Sequence, residues 1–218
     1  PAGGSLRVTV GVVGDTDLGE VTVEELRDEM ALVFSDAGID SRIEIASVPG
    51  PAFVNAEGAD AGAVRASYVP ADELQILVYL IQGFADEPFT LGFAAGIPGP
   101  NGVVGTVSSG VIVAVDAHID DGGFLDPVLL AETASHEVGH QIGLFHTTED
   151  RGDIFDEIGD TPECDVSFDL DEDGELTAEE CEFADGQNLM FWLSALEFSQ
   201  RTLSTAQRRL IQLSPVTR

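Results

Sequence analysis

Three of the four histidines in the chain lie close together, in a segment of eleven residues that also contains Glu137. Residues four apart share a face of a helix, so His136 and His140 can bind one tetrahedral metal ion, with Glu137 beside it. Gly143 can end that helix in a left-handed turn, which lets His146 reach the same ion. Three neutral imidazoles leave a fourth position for water, as in a catalytic zinc site and unlike a closed structural one. The spacing therefore predicts a catalytic zinc centre.

The histidine segment reads H-E-x-x-H-x-x-G-x-x-H, and a short Asn-Leu-Met sequence follows at residues 188–190. In both respects the chain resembles the metzincin metallopeptidases, whose zinc signature is completed downstream by a methionine-containing turn, the Met-turn. The Asn-Leu-Met sequence, together with Thr147 after the last histidine, looks most like the pappalysin group and its bacterial relatives. The resemblance implies that Met190 lies beneath the three histidines as an apolar floor. Ordinary core packing of Met190 is compatible with this role.

One position departs from the family pattern. Several metzincin groups have a tyrosine two residues after this methionine that can reach the metal or the oxyanion, whereas this chain has Trp192. An indole has no oxygen with which to bind zinc. We therefore expect no fourth protein ligand from Trp192 and no tyrosine role in catalysis.

The resemblance implies a secreted zinc endopeptidase in which zinc-bound water is activated by Glu137, which then passes the proton to the leaving amine. This chemistry needs no nucleophilic serine or cysteine. Two alternatives are a calcium-dependent binding or adhesion module that retains a zinc site, and a zinc amidase acting on a non-peptide bond. Glu137 counts against the first alternative, because a pure binding role needs no base beside an open metal position.

An acidic stretch further along the chain matches the twelve-position calcium loop of EF-hands. Oxygen donors fall at positions 1, 3, 5, 9 and 12, a glycine falls at the sharp turn, and a backbone carbonyl is expected at position 7. The ligand positions are Asp169, Asp171, Asp173, Glu175, Thr177 and Glu180. The preceding segment contains Pro162, which disfavours a helix there and indicates a single calcium loop instead of a paired EF-hand. The alternative is a solvated acidic loop.

The two cysteines, Cys164 and Cys181, are either a disulfide or two free thiols, and they are too few for a four-cysteine metal site. They bracket the acidic loop, and a disulfide between them would clamp it with a stabilisation of about 3 kcal/mol by chain-entropy reasoning. Calcium at extracellular concentration and a disulfide both belong outside the cytosol, so we expect a secreted protein. Any signal peptide or propeptide is expected to lie outside this sequence.

The net charge of −31 comes from 40 acidic residues against nine arginines, and the chain has no lysine. Nucleic acid is excluded as a partner, because its phosphates are bound by cations. Such a surface indicates adaptation to salty or calcium-containing surroundings. The alternative is an acidic surface that has no specific partner. No apolar run reaches the roughly 18 to 20 residues needed to cross a bilayer. We expect a monomer that acts on protein or peptide substrates.

Hydrophobic periodicity predicts an α/β (α+β) fold in a single domain, residues 1–218. The predicted strands cover residues 5–13, 41–48, 74–82 and 110–117, and the predicted helices cover residues 21–37, 125–144 and about 204–215. Residues 1–146 are expected to form an N-terminal subdomain that includes the zinc helix, and residues 147–218 an irregular C-terminal subdomain. His118 follows the last predicted strand and is expected at the surface or at a sheet end, not on the metal.

The metzincin resemblance implies a twisted, mostly parallel sheet with a backing helix before the zinc helix. It also implies an antiparallel edge strand that lines the cleft and pairs with extended substrate. Our candidate for this strand is the short segment Leu91, Gly92, Phe93, Ala94 and Ala95, which is followed by a stretch rich in glycine and proline.

Overall fold

The computed structural model describes residues 4–56, 58–71, 74–195 and 197–218 and has a five-stranded sheet at its centre. The strands are β1 (Leu6–Val13), β2 (Ser41–Val48), β3 (Phe53–Val54), β4 (Ile76–Ile81), β5 (Gly83–Phe84), β6 (Gly92–Ala94) and β7 (Val111–Ala114). The helices are α1 (Val23–Asp36), α2 (Ala59–Ala66), α3 (Pro127–Ile142) and α4 (Thr205–Leu213). These elements confirm the predicted α/β fold class. Within the described residues, no helix combines the length and apolar character that a membrane span requires.

The central sheet is mixed. Its strand order is β2-β1-β4-β7-β6, and the first four of these strands run parallel. β6 pairs antiparallel with β7, with Phe93 opposite Ile112, and forms one edge of the sheet. β3 and β5 form a separate two-stranded sheet. The predicted antiparallel edge strand is therefore confirmed as a strand, over Gly92–Ala94.

Each face of the central sheet is covered by a hydrophobic core. Because side chains alternate along a strand, one strand can contribute to both cores. Along β4, Val78 and Leu80 face a core that is shared with α1, α3 and α4. Leu77 and Tyr79 face a second core, which is shared with α2. Burying one large apolar side chain contributes about 1.5–3 kcal/mol relative to leaving it exposed. This two-sided burial explains why β4 is apolar along nearly its whole length.

Local sequence signals set the first residues of α3 and α4. The Asp126 side chain accepts hydrogen bonds from the backbone at the start of α3, and Pro127 occupies the first helical position. Ser204 and Gln207 form a reciprocal capping box at the start of α4. The predicted beginnings of these two helices, at Asp126 and Ser204, are confirmed.

Three short elements, β3, β5 and α2, are not predicted by the hydrophobic pattern of the sequence. β3 and β5 have two residues each, too few for an alternating pattern to be recognised. α2 follows Gly58, which has no side chain that could cap it. Its Ala61 and Val64 are buried in the second core, so tertiary packing stabilises this helix more than local signals do.

Residues 147–218 contain little regular structure apart from α4. A small third core in this region includes a disulfide between Cys164 and Cys181, whose Cα atoms are 5.7 Å apart. Leu176 and Phe191 belong to the same buried cluster. The disulfide is therefore confirmed, and the alternative of two free thiols is wrong.

Candidate zinc centre and active-site cleft

α3 carries three of the four chemistry-bearing residues of the predicted centre. His136, Glu137 and His140 lie in its C-terminal half, and the helix is capped by Gly143, whose φ is 122°. This backbone conformation is accessible to glycine and strained for residues with a side chain. The N–H of Gly143 donates to carbonyl groups in the last turn of the helix, which closes it. The chain then reverses, and His146 comes to lie beside the other two imidazoles.

The ligand atoms of the three histidines converge. One ligand nitrogen from each of His136, His140 and His146 lies within 4.8 Å of the other two. Nε2 of His140 and Nε2 of His146 are 3.1 Å apart. The structure thus brings all three predicted zinc ligands together.

The second ring nitrogen of each helical histidine has a backbone partner. Nδ1 of His136 donates to the carbonyl oxygen of Leu189 over 2.7 Å. Nδ1 of His140 donates to the carbonyl oxygen of Leu144 over 2.8 Å. A carbonyl can only accept, so these contacts assign the proton of each neutral ring to Nδ1 and leave a lone pair on Nε2.

Glu149 was not among the predicted site residues. Its Oε2 accepts a hydrogen bond from Nδ1 of His146 over 3.1 Å, so the third imidazole also has an oxygen partner. The zinc motif ends at His146 and does not extend to this residue. The sequence signal that could have identified it is a carboxylate three residues after the last histidine.

The arrangement of the three imidazoles fits a zinc ion. With protons on Nδ1, the Nε2 lone pairs of His140 and His146 face each other over 3.1 Å, and they repel unless a cation accepts both. Burial, and then the neighbouring imidazoles, lower the pKa of His136 well below its usual range and the pKa of His140 to about 4. Both rings are therefore neutral at pH 7, the form that binds metal. Three imidazole nitrogens are a donor set that suits zinc.

Glu137 is buried between the centre and the edge strand. A Cβ placed on Gly92 of β6 would lie 3.2 Å from Cγ of Glu137, so a glycine allows this strand to come close to the carboxyl group. Burial raises the pKa of Glu137 to about 8, and a hydrogen bond with the backbone of Ala94 opposes the shift. The predicted base and the predicted substrate strand are thus neighbours.

Met190 lies against α3 at the level of the histidines. It is fully buried, and a Cβ placed on Gly139 would overlap its Sδ. Its carbonyl oxygen accepts from the N–H of Thr147 over 2.9 Å, and its own N–H donates to the side chain of Asn188 over 2.9 Å. The turn at residues 188–190 is therefore fixed both to the segment after His146 and to the zinc helix.

The relation of this chain to known proteins is visible in its structure and not in its sequence. No family model matches it, and no curated protein sequence matches it. Its structure is similar to mature mirolysin from Tannerella forsythia in complex with a cleaved peptide, with a TM-score of 0.61, 17% identity, and coverage of 97% of this chain and 92% of that chain. A second structure, of mirolysin in complex with compound 9, gives a TM-score of 0.60, 16% identity, and coverage of 96% and 91%.

Mirolysin is a metzincin, and both likenesses extend over nearly the whole of this chain. This chain has a metzincin-like fold. At such low sequence identity the likeness is one of fold, and it does not distinguish the pappalysin group from other metzincins. That assignment stays a prediction.

A cleft of about 410 Å³ runs past the centre of this metzincin-like fold. β6 lines it through Gly92 and Phe93, and the chain after the Met-turn lines it through Phe191 and Trp192. The three histidines and Glu137 also face the cleft. An extended peptide lying beside β6 would therefore pass the predicted base.

Trp192 connects this cleft to the acidic loop. Its indole Nε1 donates to the carbonyl oxygen of Leu176 over 2.8 Å, so the only polar group of the side chain already has a partner. Leu176 is the eighth residue of the loop, and its own N–H donates to the carbonyl oxygen of Asp150 over 2.6 Å. The loop is therefore bonded both to the wall of the cleft and to the segment that follows His146.

Glu132, one turn before His136 on α3, also lines the cleft but is fully engaged. Its Oε1 accepts from Nε of Arg201 over 2.8 Å, and its Oε2 accepts from the N–H of Gln200 over 3.2 Å. Arg201 also forms an ion pair with Asp36 of α1. These contacts tie the zinc helix to the far wall of the cleft and to the backing helix.

Of the two positions expected for His118, the sheet end is the one that the structure shows. The residue does lie at the end of the sheet, in a single helical turn after β7, but it is not at the surface, because only 1% of it is exposed. Its Nδ1 donates to the carbonyl oxygen of Ala114 over 2.7 Å, and its Nε2 accepts from the hydroxyl of Thr133 over 2.8 Å. α3 packs over the sheet end and covers the ring. As expected, His118 is not part of the histidine cluster.

The acidic loop brings three of its predicted ligands together. One carboxylate oxygen from each of Asp169, Asp171 and Asp173 lies within 4.8 Å of the others. Oδ1 of Asp169 is buried and has no hydrogen-bond partner in the part of the chain that the structure describes. Gly174 takes a φ of 90° at the sharp turn, as the calcium-loop pattern requires.

The remaining predicted ligands are held by hydrogen bonds within the loop. Oε1 of Glu180 accepts from the N–H of Leu170 over 2.8 Å, and its Oε2 accepts from the N–H and the hydroxyl of Thr177, both over 3.0 Å. The N–H of Glu175 donates to Asp173 over 2.9 Å. Among the described residues, the converging carboxylates are the three aspartates, without Glu180.

Proposed function

We propose that this chain is a zinc-dependent endopeptidase that uses Glu137 as its general base. The observation that carries the proposal is the convergence of His136, His140 and His146 in a cleft where Glu137 lies between them and an antiparallel edge strand. The carboxyl group of Glu137 is buried beside this strand, with the backbone of Ala94 as a hydrogen-bond partner. It has a clear use as a proton carrier beside a metal site.

His136, His140 and His146 would hold the zinc ion through their Nε2 atoms. When bound, zinc supplies a Lewis acid that polarises the scissile carbonyl and lowers the pKa of water. Glu137 takes a proton from water as the water oxygen adds to the carbonyl carbon. It then delivers that proton to the amine nitrogen as the C–N bond breaks, so Glu137 is unchanged and the products are a carboxylic acid and an amine, which at neutral pH become a carboxylate and an ammonium ion.

The edge strand supports a peptide as the substrate. β6 pairs with β7 on one side and is the last strand of the sheet, so its other side can pair with an extended chain. Leu91 continues the pairing, because its carbonyl oxygen accepts from the N–H of Ala114 over 2.8 Å. Main-chain hydrogen bonds to β6 would place a scissile bond beside Glu137, and such pairing distinguishes peptides from small amides.

We further propose that the acidic loop binds calcium and that the protein acts outside the cytosol. Asp169, Asp171 and Asp173 converge, and the unpartnered oxygen of Asp169 supports a cation at this point. Charge repulsion between the three carboxylates would be relieved by a dication with oxygen ligands. The disulfide between Cys164 and Cys181 is typical of an oxidising compartment, which supports secretion.

The endopeptidase proposal is tested by metal analysis together with mapping of cleavage sites. The purified protein should contain about one equivalent of zinc and should cut within peptides of a defined library, as read by mass spectrometry. Zinc without any peptide cleavage, but with hydrolysis of non-peptide amides, would contradict the proposal in favour of an amidase.

A further inference from the structure

The three imidazoles of the zinc centre differ in the partner of Nδ1. For His136 and His140 the partner is a backbone carbonyl, over 2.7 and 2.8 Å. For His146 it is a carboxylate oxygen of Glu149, over 3.1 Å. His146 is therefore the one member of this cluster whose partner is an ionisable side chain, which mutation can remove without altering the backbone.

His146 is also the imidazole with the least support from regular structure. His136 and His140 lie on α3, whereas His146 follows the glycine that ends the helix. The side chain of His146 is 25% exposed, and the side chain of its partner Glu149 is 38% exposed. His146 therefore lacks the support that α3 gives the other two imidazoles, and its orientation depends more on a side-chain partner.

Glu149 is held in place by its own backbone. Its N–H donates to the carbonyl oxygen of Ile154 over 3.0 Å, and its carbonyl oxygen accepts from the N–H of Gly152 over 3.0 Å. Gly152 has a φ of 62°, which closes a tight turn. The carboxylate is therefore presented to His146 from a fixed turn and not from a loose surface segment.

We propose that Glu149 is a positioning residue for the zinc centre: it fixes the ring orientation and tautomer of His146 so that Nε2 faces the metal. A carboxylate that accepts from the distal nitrogen of a metal-binding imidazole orients the ring and increases its basicity as a ligand. The negative charge also offsets part of the charge of a dication. This inference rests on the proposed zinc site, and the two can be tested separately.

The test measures zinc affinity in three variants and the wild type by competition with a chromophoric chelator at fixed pH. Glu149→Ala should weaken zinc binding about 10- to 100-fold. Glu149→Gln keeps an oxygen acceptor without the charge and should recover part of the loss. Asp150→Ala is the matched control, because its half-exposed carboxylate contacts Arg151 and not His146. It should change the affinity less than about twofold, since exposed charges have small effects.

A second readout separates positioning from general destabilisation. With Co²⁺ in place of Zn²⁺, the visible absorption bands should change in Glu149→Ala and remain as in the wild type in Asp150→Ala. Wild-type affinity and an unchanged cobalt spectrum in Glu149→Ala overturn the inference, as does an equal loss in Asp150→Ala. If Glu149→Ala does not fold, Glu149→Leu decides, because it keeps the bulk of the side chain but has no acceptor for Nδ1 of His146, and wild-type affinity in that variant also overturns the inference. Failure of the wild type to bind zinc contradicts the proposed function instead.

Discussion

Gly139 of the zinc helix and Met190 of the turn beneath it are in such close contact that a single methyl group between them would overlap the methionine sulfur. Gly139 lies directly before His140 and three residues after His136. The turn therefore supports the helix at the position from which two of the three imidazoles project. Packing of this kind transmits a small displacement of the turn to the ligand geometry.

Gly139→Ala should destabilise the protein, against the normal trend for helices. Replacing an interior glycine by alanine usually stabilises a helix by about 0.5–1 kcal/mol. Here the overlap with buried Met190 should cost about 1–3 kcal/mol, so the melting temperature should fall by a few degrees and zinc should bind more weakly. Gly159→Ala is the control, because a Cβ there meets nothing within 4 Å.

A double variant tests whether Met190 is the cause of that effect. Met190→Ala alone should cost about 2–5 kcal/mol through the cavity it leaves. In that background Gly139→Ala should be neutral or stabilising, because the overlap is gone. Chemical denaturation of the four proteins gives the coupling free energy. An equal cost of Gly139→Ala in both backgrounds would show that the contact with Met190 does not matter.

Glu137→Gln should separate binding from chemistry. The amide keeps the size of the side chain but cannot accept the proton, so kcat for peptide hydrolysis should fall by about 10²- to 10⁴-fold. Zinc content and melting temperature should stay close to the wild type, because the three imidazoles are untouched. Glu157→Gln, at an exposed carboxylate, should retain full activity. Substantial cleavage by Glu137→Gln would exclude Glu137 as the base.

The parts of the structure that could be predicted from the sequence depend on neighbouring residues. The zinc helix is an example, because the spacing of His136 and His140, the cap at Asp126 and the glycine at residue 143 are all local signals. The buried strands β4 and β7 were recognised for the same reason, as continuous apolar runs. The helix that carries the ligand motif is therefore confirmed, with its cap and its terminal glycine.

The parts that could not be predicted depend on contacts between distant segments. α2 is stabilised by the second core, and its sequence has no capping signal. The sequence left open whether His118 lies at the surface or at a sheet end, because nothing in its neighbourhood shows that α3 packs over it through Thr133. The bond between Trp192 and Leu176 spans sixteen residues of irregular chain, in which no periodic pattern exists.

The burial of His118 should make the stability of the protein depend on pH. Burial lowers its pKa from 6.5 to about 4, and the hydrogen bond to Ala114 and the charge of Asp126 oppose the shift less strongly. Because the folded-state pKa is depressed, the unfolded chain binds the proton more tightly. The free energy of unfolding should therefore decrease as the pH falls from about 6.5 towards 4, by on the order of 3 kcal/mol from this residue.

His118→Gln removes the group that takes up this proton, and its stability is compared with that of the wild type. Urea denaturation of the metal-free proteins at several pH values between 4 and 7 gives the free energy of unfolding of each protein. The slope of this free energy against pH reports how many protons are taken up on unfolding. The variant should be less stable at pH 7, because hydrogen bonds are lost, but its stability should depend less on pH in this window. Parallel slopes for the two proteins would mean that His118 does not titrate between these values.

Calcium removal should loosen the segment between His146 and Met190 while zinc stays bound. This segment has few apolar residues, and its acidic loop is bonded through Leu176 to Asp150 on one side and to Trp192 on the other. A ligand present at about 100 times its Kd stabilises the native state by about 2.7 kcal/mol. A chelator selective for calcium over zinc should therefore lower the melting temperature by about 5–10 °C.

Asp169→Ala should reproduce the effect of the chelator even with calcium present, because the loop loses its first carboxylate and the oxygen that lacks a partner. Asp153→Ala removes the same charge from an exposed position outside the loop and should leave the melting temperature unchanged. Limited proteolysis provides the second measurement: cuts should appear within residues 147–190 in Asp169→Ala but not in Asp153→Ala. Peptide hydrolysis should decrease in parallel, because Trp192 lines the cleft and loses its support. If verified removal of calcium changes neither the melting temperature nor the proteolysis pattern, the acidic loop is a solvated surface stretch that binds no structural ion.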